Sequence, residues 1–323
     1  VPLRACAHCR CGGCAMAPTL HAGPDMPNHP RSLAAWLVAI RPRSLLVAIS
    51  PVLVGGSLGY LRTGSIDGLA AGLALAAALL MQLITNLQND VGYTVRGGED
   101  SGTRIGLPRA TARGWLSVTQ VRAVIVVLSA LATGLGLALV AHRGWPVLAM
   151  GSASLLAALA YMGGPKPIAY TPLGELTVFV FFGLVAVLGT DWLVTGSTGV
   201  LTWLAATSIG CLAAAALAVN NHRDMAHDQQ VGRSTFAARY GETASHRLLG
   251  VLLALPFVLQ CLMAVMGGPW LWLPCVLAPM AWRLHRDFVE CSPGLPYNAI
   301  LFRVFRFELG FALLLSVGAL LGS

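Results

Sequence analysis

The sequence predicts an all-α integral membrane protein, a bundle of about nine transmembrane helices, and three observations support this prediction. Hydrophobic residues make up 56% of the 323 residues. Charged residues make up only 11%, against about 25% in a typical soluble domain. Long uncharged runs recur along the chain, and short polar segments separate them. A soluble protein of this size does not bury enough surface to hide so many apolar side chains.

Each predicted helix is an apolar run of about 17 to 25 residues, the length that crosses about 30 Å of hydrocarbon. The nine runs are 44–60, 68–89, 118–141, 145–162, 173–194, 198–220, 246–266, 269–284 and 300–321. The run 269–284 is the weakest, because Pro269, Pro274 and Pro279 lie inside it or at its edge and proline interrupts helices.

The loops predict the orientation of the bundle, since cytoplasmic loops are enriched in Lys and Arg. Most basic residues lie before the first span and then in every second loop; among them are Arg31, Arg41, Arg43, Arg96, Arg104, Arg109, Arg113, Lys166, Arg223, Arg233, Arg239 and Arg286. We therefore expect a multi-pass protein of the cell's inner (plasma) membrane with a cytoplasmic N-terminus and cytoplasmic polar loops. The net charge of +8 reflects this topology, and we expect no nucleic-acid partner.

The first 25 residues are expected to lie outside the folded domain. They contain the segment CAHCRCGGC, whose spacing makes a tetrathiolate metal site conceivable. We favour a disordered tail or an over-extended reading frame, because Met16 and Met26 follow closely. Residues 26–323 are then expected to form one transmembrane domain.

Two polar segments follow apolar runs at corresponding places in the chain. NLQNDVGYTVRGGEDSGTRIG begins at Asn86, and NNHRDMAHDQQVGRSTFAARYG begins at Asn220. At the resulting offset of 134 residues, Asp90 also aligns with Asp224. This correspondence predicts an internal repeat, in which spans one to four recur as spans five to eight and a ninth helix is added.

The spacing of these polar residues suits a hard cation. Asn220, Asp224 and Asp228 are at positions i, i+4 and i+8 along one helix face, and Asn86 and Asp90 are at i and i+4. Two such faces brought together would converge amide and carboxylate oxygens, which Mg²⁺ binds together with substrate phosphates. Polar residues at helix ends often only meet water, but matched carboxylates near the membrane interior are costly and usually functional.

Basic side chains near the two motifs can bind phosphate oxygens. The candidates are Arg96, Arg104, Lys166, Arg223, Arg233 and Arg239, whereas Arg109, Arg113 and Arg122 are interpreted as topology anchors. Carboxylates for a cation and arginines for phosphate, at the mouth of an apolar bundle, indicate a diphosphate with a lipid tail. Neutralising the leaving diphosphate stabilises charge as its C–O bond breaks, and the resulting carbocation needs a water-poor pocket.

These motifs resemble the two aspartate-rich motifs of the UbiA superfamily of intramembrane prenyltransferases. Within it, they are most similar to the 1,4-dihydroxy-2-naphthoate polyprenyltransferases of menaquinone synthesis. The second motif matches that group's pattern Asn-Asn-x-Arg-Asp-x-x-x-Asp-x-x-x-Gly-Lys-x-Thr, with Arg233 in place of the Lys. RPRSLLVAISPVLVGG and PLGELTVFVFFGLVAVLGT are also similar, so the likeness runs from about residue 36 to the C-terminus.

The resemblance implies nine helices around a central cavity, Mg²⁺, a polyprenyl diphosphate donor and an aromatic acid acceptor. It assigns catalytic roles to Asp90, Asp224 and Asp228, and metal binding to these three with Asn86 and Asn220. Diphosphate binding is assigned to Arg96, Arg223 and Arg233, and also to Lys166.

One position departs from the family pattern. The first motif has Tyr93 where a second Asp is expected, and a tyrosine is a poor Mg²⁺ ligand at neutral pH. The nearby Asp100 or Glu99 is hypothesised to substitute as the metal ligand.

Three alternatives stay open at this stage. The first is a different acceptor, namely 4-hydroxybenzoate, a porphyrin-like ring or a non-aromatic alcohol. The second is a non-catalytic homologue that acts as a lipid-binding or scaffold protein, an alternative that the departure at Tyr93 keeps open. A transporter is the third alternative; against it, the polar clusters are predicted at the helix mouths and no span is broken by a matched Gly/Pro pair.

Overall fold

The computed structural model describes residues 32–98, 106–291 and 294–323, and within them the protein is helical, without strands. The expected tail 1–25 lies outside these residues. The twelve α-helices of the described part are α1 Ser32–Ile40, α2 Leu46–Thr63, α3 Gly68–Val95, α4 Val118–Arg143, α5 Trp145–Met162, α6 Gly174–Val178, α7 Gly189–Thr195, α8 Val200–Arg223, α9 Met225–Gln230, α10 Phe236–Gly267, α11 Ala278–Glu290 and α12 Pro296–Leu321. A π-helical segment, Phe179–Leu188, joins α6 to α7 without a break.

Eight helical stretches of the described chain are long and apolar enough to cross a membrane, which confirms the predicted all-α membrane bundle. They are Pro42–Thr63, Gly68–Val95, Val118–Arg143, Trp145–Met162, Gly174–Thr195, Val200–Arg223, Phe236–Gly267 and Pro296–Leu321. Six of them contain a predicted run completely, and the runs 173–194 and 198–220 begin one and two residues before their helices. The stretch Gly174–Thr195, composed of α6, the π-helical segment and α7, is called the fifth span below.

The remaining predicted run, 269–284, does not form a long apolar helix, and the count of nine is not confirmed by the described residues. Its first part is a 3₁₀ helix, Pro269–Leu277, and α11 follows. Proline has no amide hydrogen for a regular helical ladder, which explains the tighter turn. α11 is amphipathic: it buries Leu284 and Phe288 and carries charged residues on its other side.

α8 is the central helix of the bundle. It packs against α2, α10, α12 and the fifth span. Residues 211–216 of α8, four of them alanines, are all buried. Small side chains allow transmembrane helices to approach closely. The closest approach joins Gly210 of α8 to Gly183 of the fifth span: a Cβ on Gly183 would lie 2.6 Å from the Ala206 carbonyl oxygen.

We expect Gly183→Ala to lower the unfolding temperature. The added methyl must push α8 away from the fifth span, and overpacking of this kind costs about 1–3 kcal/mol. Gly72→Ala is the matched control, because no atom outside the local backbone of its own helix lies within 4 Å of its added Cβ. Thermal unfolding in the same detergent compares the two variants, and equal unfolding temperatures would contradict the close contact.

A mostly apolar cavity of about 250 Å³ lies between α2, α3, α4, α5 and the fifth span. Its lining reaches Thr85 in α3 and Tyr161 in α5 and includes Phe181 and Phe182 of the π-helical segment. Segments of π-helix occur frequently at functional sites. The cavity agrees with the one that the family resemblance implies, and its apolar walls suit a hydrocarbon ligand.

Candidate active site

The two aspartate motifs lie at the C-terminal ends of α3 and α8. Asn86 and Asp90 lie in the last three turns of α3. Asn220 lies in the last turn of α8, Asp224 follows that helix directly, and Asp228 lies in α9. The Asp228 amide donates to the Asp224 carbonyl at 2.8 Å, so the helical repeat continues across the junction of α8 and α9.

Arg223 and Asp224 form a buried, two-pronged ion pair. The Arg223 Nε donates to one carboxylate oxygen at 2.9 Å and its Nη2 to the other at 2.6 Å. Nη2 also donates to the Asn220 side-chain oxygen at 2.9 Å, and Nη1 donates to that of Asn298 in α12 at 2.6 Å. One guanidinium therefore holds the side-chain oxygens of Asn220 and Asp224.

Arg233 and Asp228 form a second buried ion pair at 2.6 Å. The other Asp228 oxygen accepts from the Thr235 hydroxyl at 3.2 Å. The Arg233 Nε and Nη2 donate to the Ala169 carbonyl at 3.3 and 3.1 Å. Burial lowers the pKa of Arg233 to about 9, so this guanidinium still carries its charge at pH 7.

Tyr93, the residue that departs from the family pattern, connects the two motifs. Its hydroxyl accepts a hydrogen bond from Arg233 Nη1, the nitrogen that also pairs with Asp228. The Arg109 guanidinium lies 3.7 Å from the centre of the Tyr93 ring and donates to the Asn89 carbonyl. Arg109 is buried, so its interpretation as a simple topology anchor is wrong. The tyrosine thus packs between two arginines, a cation–π arrangement.

We expect Tyr93→Phe to lower the free energy of unfolding by about 1 kcal/mol, because Arg233 loses one hydrogen-bond acceptor inside the protein. The KM for the diphosphate donor that the family resemblance implies should rise less than about tenfold, which corresponds to 1.4 kcal/mol. Tyr240→Phe, at a residue that is 53% exposed, is the control. Denaturant unfolding and steady-state kinetics provide the measurements. A decrease in kcat/KM of several orders of magnitude would contradict a purely supporting role for this hydroxyl.

The polar side chains of the first motif are engaged by neighbouring segments. The Asp90 carboxylate is fully buried and accepts from the amides of Ala110 and Thr111 at 3.0 and 2.8 Å. The Asn86 amide donates to the Ile40 carbonyl at 2.6 Å and to the Ser44 hydroxyl at 2.9 Å. These contacts anchor the 110–111 turn and the junction of α1 and α2, and metal binding by Asn86 and Asp90 stays a prediction.

The remaining predicted residues are more exposed or are not described. Arg96 follows α3, donates to the Gly164 carbonyl and lies 5.5 Å from the Tyr170 ring. Lys166 is exposed in the same loop as Gly164, so Arg96 and Lys166 lie near each other at the rim. Asp100, with Glu99 and Arg104, lies outside the described residues.

Sequence reasoning missed a buried polar pair, Glu175 and Asn221. The Asn221 side-chain amide donates to Glu175 Oε1 at 2.9 Å. One indication was present in the sequence: Glu175 is a carboxylate inside the apolar run 173–194, and ionisable residues at such places are rare and usually functional. Asn221 directly follows the motif residue Asn220, but only the fold brings it to Glu175.

The second motif has the donor chemistry that Mg²⁺ requires. Asn220, Asp224 and Asp228 offer amide and carboxylate oxygens, the ligands of hard cations. Asp90 has a different environment, because backbone amides and the Thr111 hydroxyl of the 110–111 turn donate to its two oxygens. Asp224 and Asp228 are instead paired with arginine side chains, which a phosphate can also engage. One different group in the described chain has ligand atoms within 4.8 Å of one another, namely His222, Glu242 and His246. Its two imidazoles suit zinc better than magnesium.

Comparisons with known proteins identify the family of this chain. The chain matches the UbiA prenyltransferase family over residues 48–320. It is 34% identical over 254 residues to 1,4-dihydroxy-2-naphthoate octaprenyltransferase of Escherichia coli strain K12, with 76% of this chain and 82% of that protein covered. The Mycobacterium tuberculosis H37Rv protein of the same name is 35% identical over 261 residues, with 78% and 85% covered.

The fold is also similar to solved structures. A UbiA homolog from Archaeoglobus fulgidus bound to DMAPP and Mg²⁺ has a TM-score of 0.60 at 15% identity, with 87% of this chain and 99% of that chain covered. At this identity the likeness concerns the fold alone. The family match covers most of the sequence, including both aspartate motifs. The chain therefore belongs to the UbiA prenyltransferase family and is a multi-pass membrane prenyltransferase.

Proposed function

We propose that this prenyltransferase transfers a polyprenyl group from polyprenyl diphosphate to 1,4-dihydroxy-2-naphthoate, with Mg²⁺ as its metal. The observation that carries the proposal is the pair of buried ion pairs, Arg223 with Asp224 and Arg233 with Asp228, at 2.6 Å each. They supply the carboxylates for a divalent cation and the guanidinium groups for phosphate in one place. The relatives named for this naphthoate support the acceptor.

The geometry suggests how the charges are divided when the donor binds. Asn220, Asp224 and Asp228 would hold the metal, and Arg223 and Arg233 would bind phosphate oxygens. Bound there, Mg²⁺ supplies Lewis-acid neutralisation of the leaving diphosphate. The arginines stabilise the same developing charge from fixed positions, which is the usual source of a large rate enhancement.

The apolar cavity is proposed to hold the prenyl chain. Its lining ends at Thr85 and Tyr161, the residues just before Asn86 and Met162, and Met162 is in turn packed with Tyr93. The cavity therefore reaches the level of the first aspartate motif. Its apolar walls exclude water from the reactive end of the donor, where water would otherwise consume an allylic cation.

The residues at the rim have supporting roles in this proposal. Arg96 and Lys166 are proposed to guide and bind the diphosphate from the exposed loop. Asn86 and Asp90 are proposed to position the site through the segments they anchor, and Asp100 stays a hypothesised metal ligand. The arginine distribution supports a cytoplasmic location for this end of the bundle. Family membership decides against the transporter that the sequence left open.

The test is transfer by the purified full chain in lipid nanodiscs with a radiolabelled polyprenyl diphosphate. We expect a prenylated product with 1,4-dihydroxy-2-naphthoate in the presence of Mg²⁺, and no product with EDTA. 4-Hydroxybenzoate and a reaction without acceptor are the controls. Product with 4-hydroxybenzoate alone would refute the naphthoate assignment. Donor binding without product from any acceptor would favour the non-catalytic alternative.

A further inference from the structure

Two oxygen atoms between α6 and α8 are buried and lack a hydrogen-bond partner within the described chain. They are Glu175 Oε2 and Asn221 Oδ1. Their residues are only 6% and 3% exposed. An unpaired buried polar atom costs about 1–3 kcal/mol, so two adjacent ones indicate a ligand that satisfies them. The packing of α6 against α8 does not require these two unpaired oxygens.

Both free atoms are hydrogen-bond acceptors. The Asn221 amide nitrogen must face Glu175, because an amide oxygen there would repel the carboxylate, and the observed 2.9 Å contact agrees. The Asn221 amide oxygen and the second Glu175 carboxylate oxygen are then without a hydrogen-bond donor in the described chain. A ligand that satisfies both atoms must carry hydrogen-bond donors, and hydroxyl groups serve this purpose. An anion or a pure hydrocarbon would not.

The pair lies between the second motif and the cavity. Asn221 directly follows Asn220, whose oxygen contacts Arg223. On the other side, a Cβ on Gly174 would lie 3.5 Å from the Tyr161 hydroxyl and 3.8 Å from the Asn221 amide nitrogen. Tyr161 also lines the cavity. A ring held by Glu175 and Asn221 would therefore stand beside both the diphosphate residues and the prenyl chain.

We propose that Glu175 and Asn221 form the acceptor subsite, that its ligand is an aromatic ring with free hydroxyl groups, and that Glu175 is the general base. This inference rests on the proposed function. One ring hydroxyl donates to Glu175 Oε2 and another donor of the ring to Asn221 Oδ1. A carboxylate placed within hydrogen-bond reach of a hydroxyl typically contributes about 10²–10⁴-fold to the rate as a general base.

The proton and electron pairs balance in the following way. The hydroxyl proton moves to Glu175, and the oxygen pushes its electron pair into the ring. A ring carbon then bonds to C1 of the prenyl group, while the C–O bond breaks and its electron pair leaves on the diphosphate. The ring carbon next loses its carboxylate as CO₂, the electron pair of the broken C–C bond passes through the ring to the oxygen, and the ring becomes an aromatic phenolate. The phenolate takes the proton back from Glu175.

The test compares an acceptor with free hydroxyls to its methoxy analogue. Wild-type enzyme should use 1,4-dihydroxy-2-naphthoate at least about 100-fold faster than the analogue whose hydroxyls are methylated, since only the former has a proton to give. Glu175→Gln should lower kcat about 100-fold or more and lose most of this discrimination. Donor binding, measured by equilibrium filtration with labelled polyprenyl diphosphate, should not change. Glu175→Asp should recover part of the rate.

The controls separate the possible failures. Glu290→Gln, at an exposed carboxylate at the end of α11, should behave as wild type, and thermal unfolding verifies that each variant is folded. Asn221→Leu should raise the acceptor KM more than it lowers kcat. Wild-type kinetics in Glu175→Gln would overturn the subsite while leaving the proposed function intact. Absence of product from the wild type with every acceptor would overturn both.

Discussion

Asp228→Asn is expected to reduce prenyl transfer at least about 100-fold, the scale of effect seen when a group that stabilises transition-state charge is removed. The substitution keeps the shape of the side chain but removes its charge. The Asp228 carboxylate is fully buried and pairs with Arg233 at 2.6 Å. The variant therefore loses a proposed metal ligand and leaves a buried guanidinium without its counter-charge.

The measurement is the single-turnover rate as a function of Mg²⁺ concentration. A lost ligand should lower the maximal rate and shift the curve to higher Mg²⁺, whereas simple misfolding should lower the rate at every concentration in proportion. Asp224→Asn should act in the same way, because its carboxylate is held equally by Arg223. His246→Ala should leave the Mg²⁺ curve unchanged, which excludes the histidine cluster as the source of the metal effect.

The chain offers a matched control for the loss of a buried ion pair. Asp191 is fully buried, pairs with Arg62 at 2.8 Å and accepts from the Thr202 hydroxyl at 2.7 Å. It lies at the other end of the spans from the aspartate motifs. Asp191→Asn should lower thermal stability yet keep the Mg²⁺ dependence and most of the turnover of the folded protein. If Asp228→Asn lost no more activity than Asp191→Asn, its assignment to the metal site would be refuted.

Arg233→Ala is expected to have the second large effect, on stability and on donor binding together. Removing one partner of a buried ion pair costs about 3–5 kcal/mol, because the remaining charge stays uncompensated. Here Asp228 would lose its ion-pair partner and keep the Thr235 hydroxyl, and Tyr93 and the Ala169 carbonyl would each lose a donor. The affinity for the diphosphate should also fall, since a proposed phosphate ligand is gone.

Arg233→Lys distinguishes charge from geometry. It restores the positive charge without the planar fork, so we expect it to recover part of the stability and of the donor affinity. Denaturant unfolding and donor binding by equilibrium filtration give the two quantities separately. Arg113→Ala, at an exposed arginine, is the control. Unchanged donor affinity in a folded Arg233→Ala would restrict this arginine to a structural role.

The membrane fold could be predicted well because it depends on one property, the length of apolar runs. Eight of the predicted runs lie in helices of sufficient length and hydropathy. The prediction was poorest at 269–284, where hydropathy and helix formation disagree: the run is apolar, but its prolines give a 3₁₀ helix, Pro269–Leu277, ahead of an amphipathic one. A hydropathy profile does not register that an α-helix needs backbone N–H groups, which proline lacks.

The candidate site was only partly predictable. The matched spacing of the two motifs indicated Asp224 and Asp228, since helical periodicity is a local property. It did not indicate that Tyr93 receives a hydrogen bond from a residue 140 positions away, nor that Glu175 faces Asn221. Arg109 was misinterpreted for the same reason. Its sequence context is that of a loop cation, and only packing against the Tyr93 ring reveals a buried one.

The two internal ion pairs also have a consequence for the order in which ligands bind. With Arg223 and Arg233 neutralising the carboxylates, the resting site offers little net charge to a passing cation or anion alone. A cation can bind the aspartates only if another ligand binds the two arginines in their place, and a diphosphate can do so. In our proposal each ligand therefore raises the affinity for the other, and by thermodynamic linkage the two enhancements are equal. The resting enzyme is thereby kept from retaining abundant cations or free phosphates unproductively, and it responds to the metal–diphosphate pair as a unit.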